Sequence, residues 1–140
     1  MRVVLDASAA VEVSLNHKRA GEFARVLEEA GEVLAPELLV AEVTNTFWKY
    51  HQFQDLDLPT CDRALEQALG LADRLIPESE LYREAFLLAR ATNRPVYDMF
   101  YLALARREDA TLLTADASLR REAQRQGIAV LQARSAGRLN

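Results

Sequence analysis

The chain has 140 residues, of which 50% are hydrophobic and 27% charged, with a formal net charge of −4. That balance excludes a disordered or low-complexity chain and fits one domain burying about 68–70% of its unfolded surface. Cys61 is the only cysteine, which excludes an internal disulfide, and no stretch approaches the roughly 20 apolar residues of a membrane span.

The opening segment RVVLD (2–6) is β-branched and apolar and predicts a short buried strand ending on Asp6. ASAAVEVSL then reads as helix, followed by an amphipathic helix over 18–31 closed by Gly31 as a C-cap. EVLAP is a second strand, closed by Pro36. A helix is expected from Glu37 to about Gln52, with Val40, Val43, Phe47 and Tyr50 as its core stripe. Glu42, Asn45 and Lys49 fall on a separate polar stripe. QDLDLPT is the most loop-like stretch, and helices over about 60–74 and 78–92 follow. NRPV breaks the pattern, because the residue before Pro95 is biased away from helix. The rest reads as helix (98–109), strand (110–114), helix ended by Gly127, and a strand IAVL.

Short apolar strands alternating with helices predict an α/β fold with a mainly parallel sheet, formed by a single domain over 1–131 with a frayed tail over 132–140. Asp6 and Glu12 interrupt the first apolar run, so no signal-peptide core is expected, and the lone cysteine suits a reducing cytoplasm. Cys61 has no His nearby to form a nucleophilic pair, and His17 and His51 lack the spacing of a zinc site. Charge is uneven along the chain. Residues 1–93 carry −7 and residues 94–140 carry +3, and all eight basic residues of the latter are Arg. Arginine suits bidentate phosphate contact, and Arg106, Arg107, Arg120, Arg121 and Arg125 are the candidates.

Four acids stand out in this frame. Ligands of open parallel sheets sit outside the carboxyl ends of the strands. Asp6 ends the first strand and Asp116 closely follows the ATLLT strand, so both are expected on one sheet edge. Glu42 lies off the core stripe of its helix, and Asp98 opens a helix too apolar to face solvent. Individually, Asp6, Asp98 and Asp116 read equally well as helix N-caps and Glu42 as a surface residue. Together they make a cluster of like charges that would protonate in part unless a divalent cation lay among them. Hard oxygen ligands without Cys or His favour Mg²⁺ or Mn²⁺ over zinc, which points to phosphoryl-transfer chemistry.

Four blocks, VVLDASAAVE, AEVTNTFWK, YDMFYLALA and LLTADASL, occur in an order and spacing that resembles the PIN-domain family, and within it the VapC-type toxins of toxin–antitoxin pairs. The resemblance implies a three-layer α/β/α sandwich acting as an Mg²⁺- or Mn²⁺-dependent endoribonuclease. It implies an RNA substrate, a homodimer and a small cognate antitoxin. By motif match it assigns one or two metal ions to Asp6, Glu42, Asp98 and Asp116, with Ser8 and Thr114 supporting the site. Asn45 matches a position that orients Glu42 or a bound water. Many relatives carry a further acid after the last one, where this chain has Ala117, Ser118 and Leu119.

Other readings fit less well. A phosphotransfer receiver would want a Lys at a late strand end, but the only lysines are Lys18 and Lys49. An aspartate-nucleophile phosphatase would want a second Asp where Ser8 stands. A non-enzymatic alternative is an inert PIN-like interaction domain with Trp48, Tyr97 and Tyr101 as interface aromatics, although core packing suits each better.

Overall fold

A computed structural model describes residues 1–131. The expected frayed tail, 132–140, lies outside the described residues. Four strands, β1 (Arg2–Leu5), β2 (Glu32–Pro36), β3 (Arg74–Ile76) and β4 (Thr111–Leu113), form one sheet in the order β3-β2-β1-β4. Every pairing is parallel, with Val4 opposite both Leu34 and Leu112. Seven α-helices are described: α1 (Ala7–Ser14), α2 (Ala20–Glu29), α3 (Leu38–Gln54), α4 (Leu58–Gly70), α5 (Tyr82–Thr92), α6 (Val96–Arg107) and α7 (Ala117–Arg125).

The sheet is covered on both faces, as a parallel sheet must be. Strand side chains alternate, so Val4, Leu34 and Leu112 join a core with α5, α6 and α7. Val3, Leu5, Val33, Ala35 and Leu113 join the opposite core with α1 through α4. The result is the expected three-layer α/β/α sandwich. Helix α6 is buried from Met99 to Ala105, which accounts for its nearly unbroken apolar sequence.

Several local expectations need correction. The core stripe of α3 is Leu39, Val43 and Phe47, whereas Val40 is 39% exposed. Gly31 is not a left-handed C-cap: Ala30 turns extended directly into β2, and the Gly31 N–H donates to the Met1 carbonyl at 2.8 Å. Gly127 does adopt the left-handed conformation at the end of α7, with φ of 74°. The helix expected over 60–74 ends at Gly70, because Arg74–Ile76 leaves it to pair with β2. IAVL is not a full strand: it makes one isolated bridge, Val130 with Leu112. Helix α6 starts at Val96, with Pro95 at its N-cap position, so Asp98 lies inside the first turn and caps nothing.

Candidate active site

The carboxyl edge of the sheet gathers the acids. Asp6 follows β1, and Asp116 follows β4, the neighbour of β1. Both retain the capping duty that their sequence context allows. Asp6 Oδ1 accepts the Ala9 N–H at 3.0 Å, and Asp116 Oδ1 accepts the Ser118 N–H at 2.8 Å. Capping and clustering are therefore compatible.

Asp6 is 5% exposed and sits in a cradle of hydroxyls. Ser8 Oγ donates to Asp6 Oδ1 at 2.7 Å, and Thr114 Oγ1 donates to Asp6 Oδ2 at 2.6 Å. These hydroxyls are held in turn by backbone: Ala115 N–H donates to Ser8 Oγ, and Asp116 N–H to Thr114 Oγ1. The network ties the end of β1 to the end of β4, with Ser8 and Thr114 holding one oxygen of Asp6 each. Burial pushes the Asp6 carboxyl up to about 6; the hydroxyl and Ala9 hydrogen bonds pull it down, and the nearby Asp116 charge adds to the rise.

Glu42 and Asp98 complete the set. Both have raised carboxyl pKa values, from burial first, with the Asp98 charge acting on Glu42 and the Asp116 charge acting on Asp98. The four acids thus feel one another in a chain: Asp6 with Asp116, Asp116 with Asp98, Asp98 with Glu42. The charges of Asp6 and Asp98 both act on the Tyr101 hydroxyl. Among the described residues, however, no three His, Cys, Asp or Glu side chains are gathered closely enough to hold a cation as they stand. The arrangement is one of electrostatic contact rather than a closed cage. Its donors are all carboxylate oxygen with hydroxyls behind them, which fits a hard divalent cation and not a soft one.

Two residues of the site escaped the sequence reading. Tyr101 is 1% exposed, and its hydroxyl donates to Glu42 Oε1 at 2.6 Å. Burial raises the Tyr101 pKa, with the Glu42 charge adding to it, so the phenol stays protonated as donor. The available signal was the chemistry of a buried Tyr, whose O–H needs a partner. Asn45, expected to orient Glu42, is exposed at the mouth of a neighbouring cavity lined by Glu37, Val40 and Trp48. Tyr101 holds Glu42 instead. Arg94 is the other omission: it pairs with Asp98 at 3.8 Å and donates to Ser118 Oγ at 2.9 Å. Trp48 and Tyr97 are exposed rather than packed in the core.

The arginine set divides by position. Arg107 pairs with Glu80 and Glu108, and Glu108 also pairs with Arg2 at the start of β1. That is the sheet edge opposite Asp6, about 13 Å away at 3.3 Å per residue. Arg106 is engaged there by Glu84 and Gln126. Neither faces the acids. Arg120 stands one turn into α7 from Asp116, with Nη1 buried and without a partner among the described residues. Arg121 and Arg125 are exposed farther along α7, and Arg125 pairs with Glu122 at 3.6 Å.

Comparison with known proteins bears on this geometry. The model of the PIN domain matches residues 3–124. Ribonuclease VapC3 of Pyrobaculum aerophilum is 31% identical over 121 residues, covering 85% of this chain and 92% of that protein. Among solved structures, PAE2754 of Pyrobaculum aerophilum has a TM-score of 0.69 at 21% identity, covering 87% of each chain. VapBC2 of Rickettsia felis, solved bound to a DNA fragment from their promoter, gives 0.66 at 15% identity, covering 96% of this chain and 100% of that one. At such identities the two structures speak to the fold alone.

Proposed function

The chain belongs to the PIN-domain family, and from that premise we propose that it is an endoribonuclease dependent on Mg²⁺ or Mn²⁺, the toxin of a toxin–antitoxin pair. The observation supporting this reading is the chain of mutual charge effects that links Asp6, Glu42, Asp98 and Asp116, which come from four separate segments. In this reading those four carboxylates hold one or two divalent cations. A bound cation supplies Lewis acidity for in-line hydrolysis of a phosphodiester, leaving a 3′-hydroxyl and a 5′-phosphate.

The chain's own residues prepare that chemistry. Ser8 and Thr114 fix both oxygens of Asp6, and Tyr101 fixes one oxygen of Glu42. Pre-set carboxylates do not have to reorganise when charge develops on the phosphate. The hydroxyl hydrogen bonds favour the charged form of Asp6 against its burial.

The partners follow from the same proposal. The RNA strand enters at the carboxyl edge of the sheet, and a small antitoxin, proposed by analogy with VapBC relatives such as that of Rickettsia felis, covers it. Tyr82, Phe86, Leu87 and Tyr97, each at least half exposed on α5 and α6, offer an apolar face suited to a second copy of the chain. Light scattering on Phe86→Glu is expected to report monomer where the parent is dimeric.

The test of activity is cleavage of single-stranded and structured RNAs with Mn²⁺ or with excess chelator. Asp6→Asn and Asp98→Asn are each expected to lower the rate at least about 100-fold, which is about 2.7 kcal/mol of barrier. Cleavage that persists in chelator or in either variant overturns the proposal. An inert interaction domain would show neither cleavage nor a Mn²⁺-dependent rise in melting temperature.

A further inference from the structure

Arg94 sits in the turn between α5 and α6, and its guanidinium reaches Asp98 and Ser118. Nη2 is 3.8 Å from Asp98 Oδ2. Nη1 donates at 2.9 Å to Ser118 Oγ, whose own backbone N–H donates to Asp116 Oδ1. The side chain is 20% exposed, and Nε is buried without a partner among the described residues.

The donor inventory is what matters. A guanidinium carries five N–H donors and no acceptor. Here one is committed to a neutral hydroxyl, and the contact with Asp98 exceeds hydrogen-bond distance. The cation is therefore partly desolvated, which strengthens its field, while most of its donors remain unspent. Arg106 and Arg107 contrast with it, since theirs go to Glu84, Gln126, Glu80 and Glu108 at the far edge. A fork with free donors beside an acid cluster matches the non-bridging oxygens of a phosphate, which guanidinium binds bidentately.

We infer that Arg94, aimed by the Ser118 hydroxyl, contacts a backbone phosphate of the RNA strand as it lies across the acidic notch. This rests on the ribonuclease reading above. It adds to the arginines that the sequence suggested one that the sequence did not.

The experiment measures binding of a fluorescein-labelled oligouridylate by anisotropy, with Mn²⁺ present, across a series of KCl concentrations. Asp6→Asn serves as the parent, so that the strand stays intact. Adding Arg94→Gln, or Arg94→Met should the Gln variant not fold, is expected to weaken binding. It should also reduce the slope of log affinity against log salt by about 0.7, the value for one contact to a single-stranded phosphate. Arg94→Lys should keep the slope and lose affinity, since it keeps the charge without the fork. Arg107→Gln removes one charge at the far edge and should leave the slope unchanged. Separately, Arg94→Gln with Asp6 intact should keep the full Mn²⁺-dependent rise in melting temperature.

An unchanged slope in Arg94→Gln, or an equal change in Arg107→Gln, overturns the inference. Loss of the Mn²⁺ response in Arg94→Gln also overturns it, because the residue would then act by holding Asp98. If the parent binds no RNA at all, the ribonuclease reading beneath it fails instead.

Discussion

Asp6 has a carboxyl shifted upward although three donors point at it, because burial outweighs them. Between its ordinary value of 3.8 and about 6, the folded chain keeps a proton that the unfolded chain releases. Stability without metal therefore falls as pH rises through that window and stays lower above it, by about 3 kcal/mol from this group. Raised values at Glu42 and Asp98 act in the same direction. Calorimetry on the metal-free protein should find a higher melting temperature near about pH 5 than at neutrality, and Asp6→Asn should flatten the difference. A flat profile in the parent would show that Asp6 is solvated. Tyr101 supports a second prediction at this scale. Tyr101→Phe leaves Glu42 half-buried and unpartnered, so stability should drop by about 1–3 kcal/mol and the Glu42 carboxyl should rise further, because the lost bond was one that lowers it. NMR titration of Glu42 reads the shift. An unmoved Glu42 would mean that the hydroxyl plays no part in setting its charge.

Secondary-structure elements were legible where a period repeats and ambiguous where it does not. Strands β1, β2 and β4 are short, apolar and separated by helices, which is enough to specify a parallel sheet covered on both faces. Asp6 and Asp116 could be placed on one edge because a strand end has a direction. Helix α3 was harder. ELLVAEV presents three consecutive apolar residues, Leu38, Leu39 and Val40, and periodicity cannot say which of them faces the sheet. Packing gives Leu39 to the core of α1–α4 and Leu38 to the opposite core, and leaves Val40 outside. Leu39→Ala should therefore cost about 2–5 kcal/mol. Val40→Ala should stay within about 0.5 kcal/mol. Urea denaturation of the two variants decides the register, and equal losses would refute it. The start of α6 was misjudged because Pro95 suits the N-terminus of a helix as well as a break before one. Tyr101 and Arg94 were missed for a different reason: their partners Glu42 and Ser118 are 59 and 24 residues away, and no local pattern encodes such pairs.

Across the whole molecule, the folding free energy and the proposed cation binding oppose each other at the same carboxylates. Folding alone prefers the acids protonated, since burial and mutual repulsion raise Asp6, Glu42 and Asp98 together. A dication prefers them ionised, because a carboxylate ligand must shed its proton to bind. Raising the pH through about 6 should therefore lower the melting temperature of the metal-free protein while increasing the stabilisation that Mn²⁺ confers. The two melting curves, plotted against pH, should separate as pH rises and approach each other near about pH 5, where Asp6 holds its proton. Asp6→Asn should leave a smaller Mn²⁺ effect that changes less across this window, through Glu42 and Asp98 alone. Thermal melts over a pH series with Mn²⁺ or chelator read all of this without measuring catalysis. Curves that run parallel would mean that the cation binds away from Asp6, and the four acids would then be a network of helix caps and buried charges serving the fold.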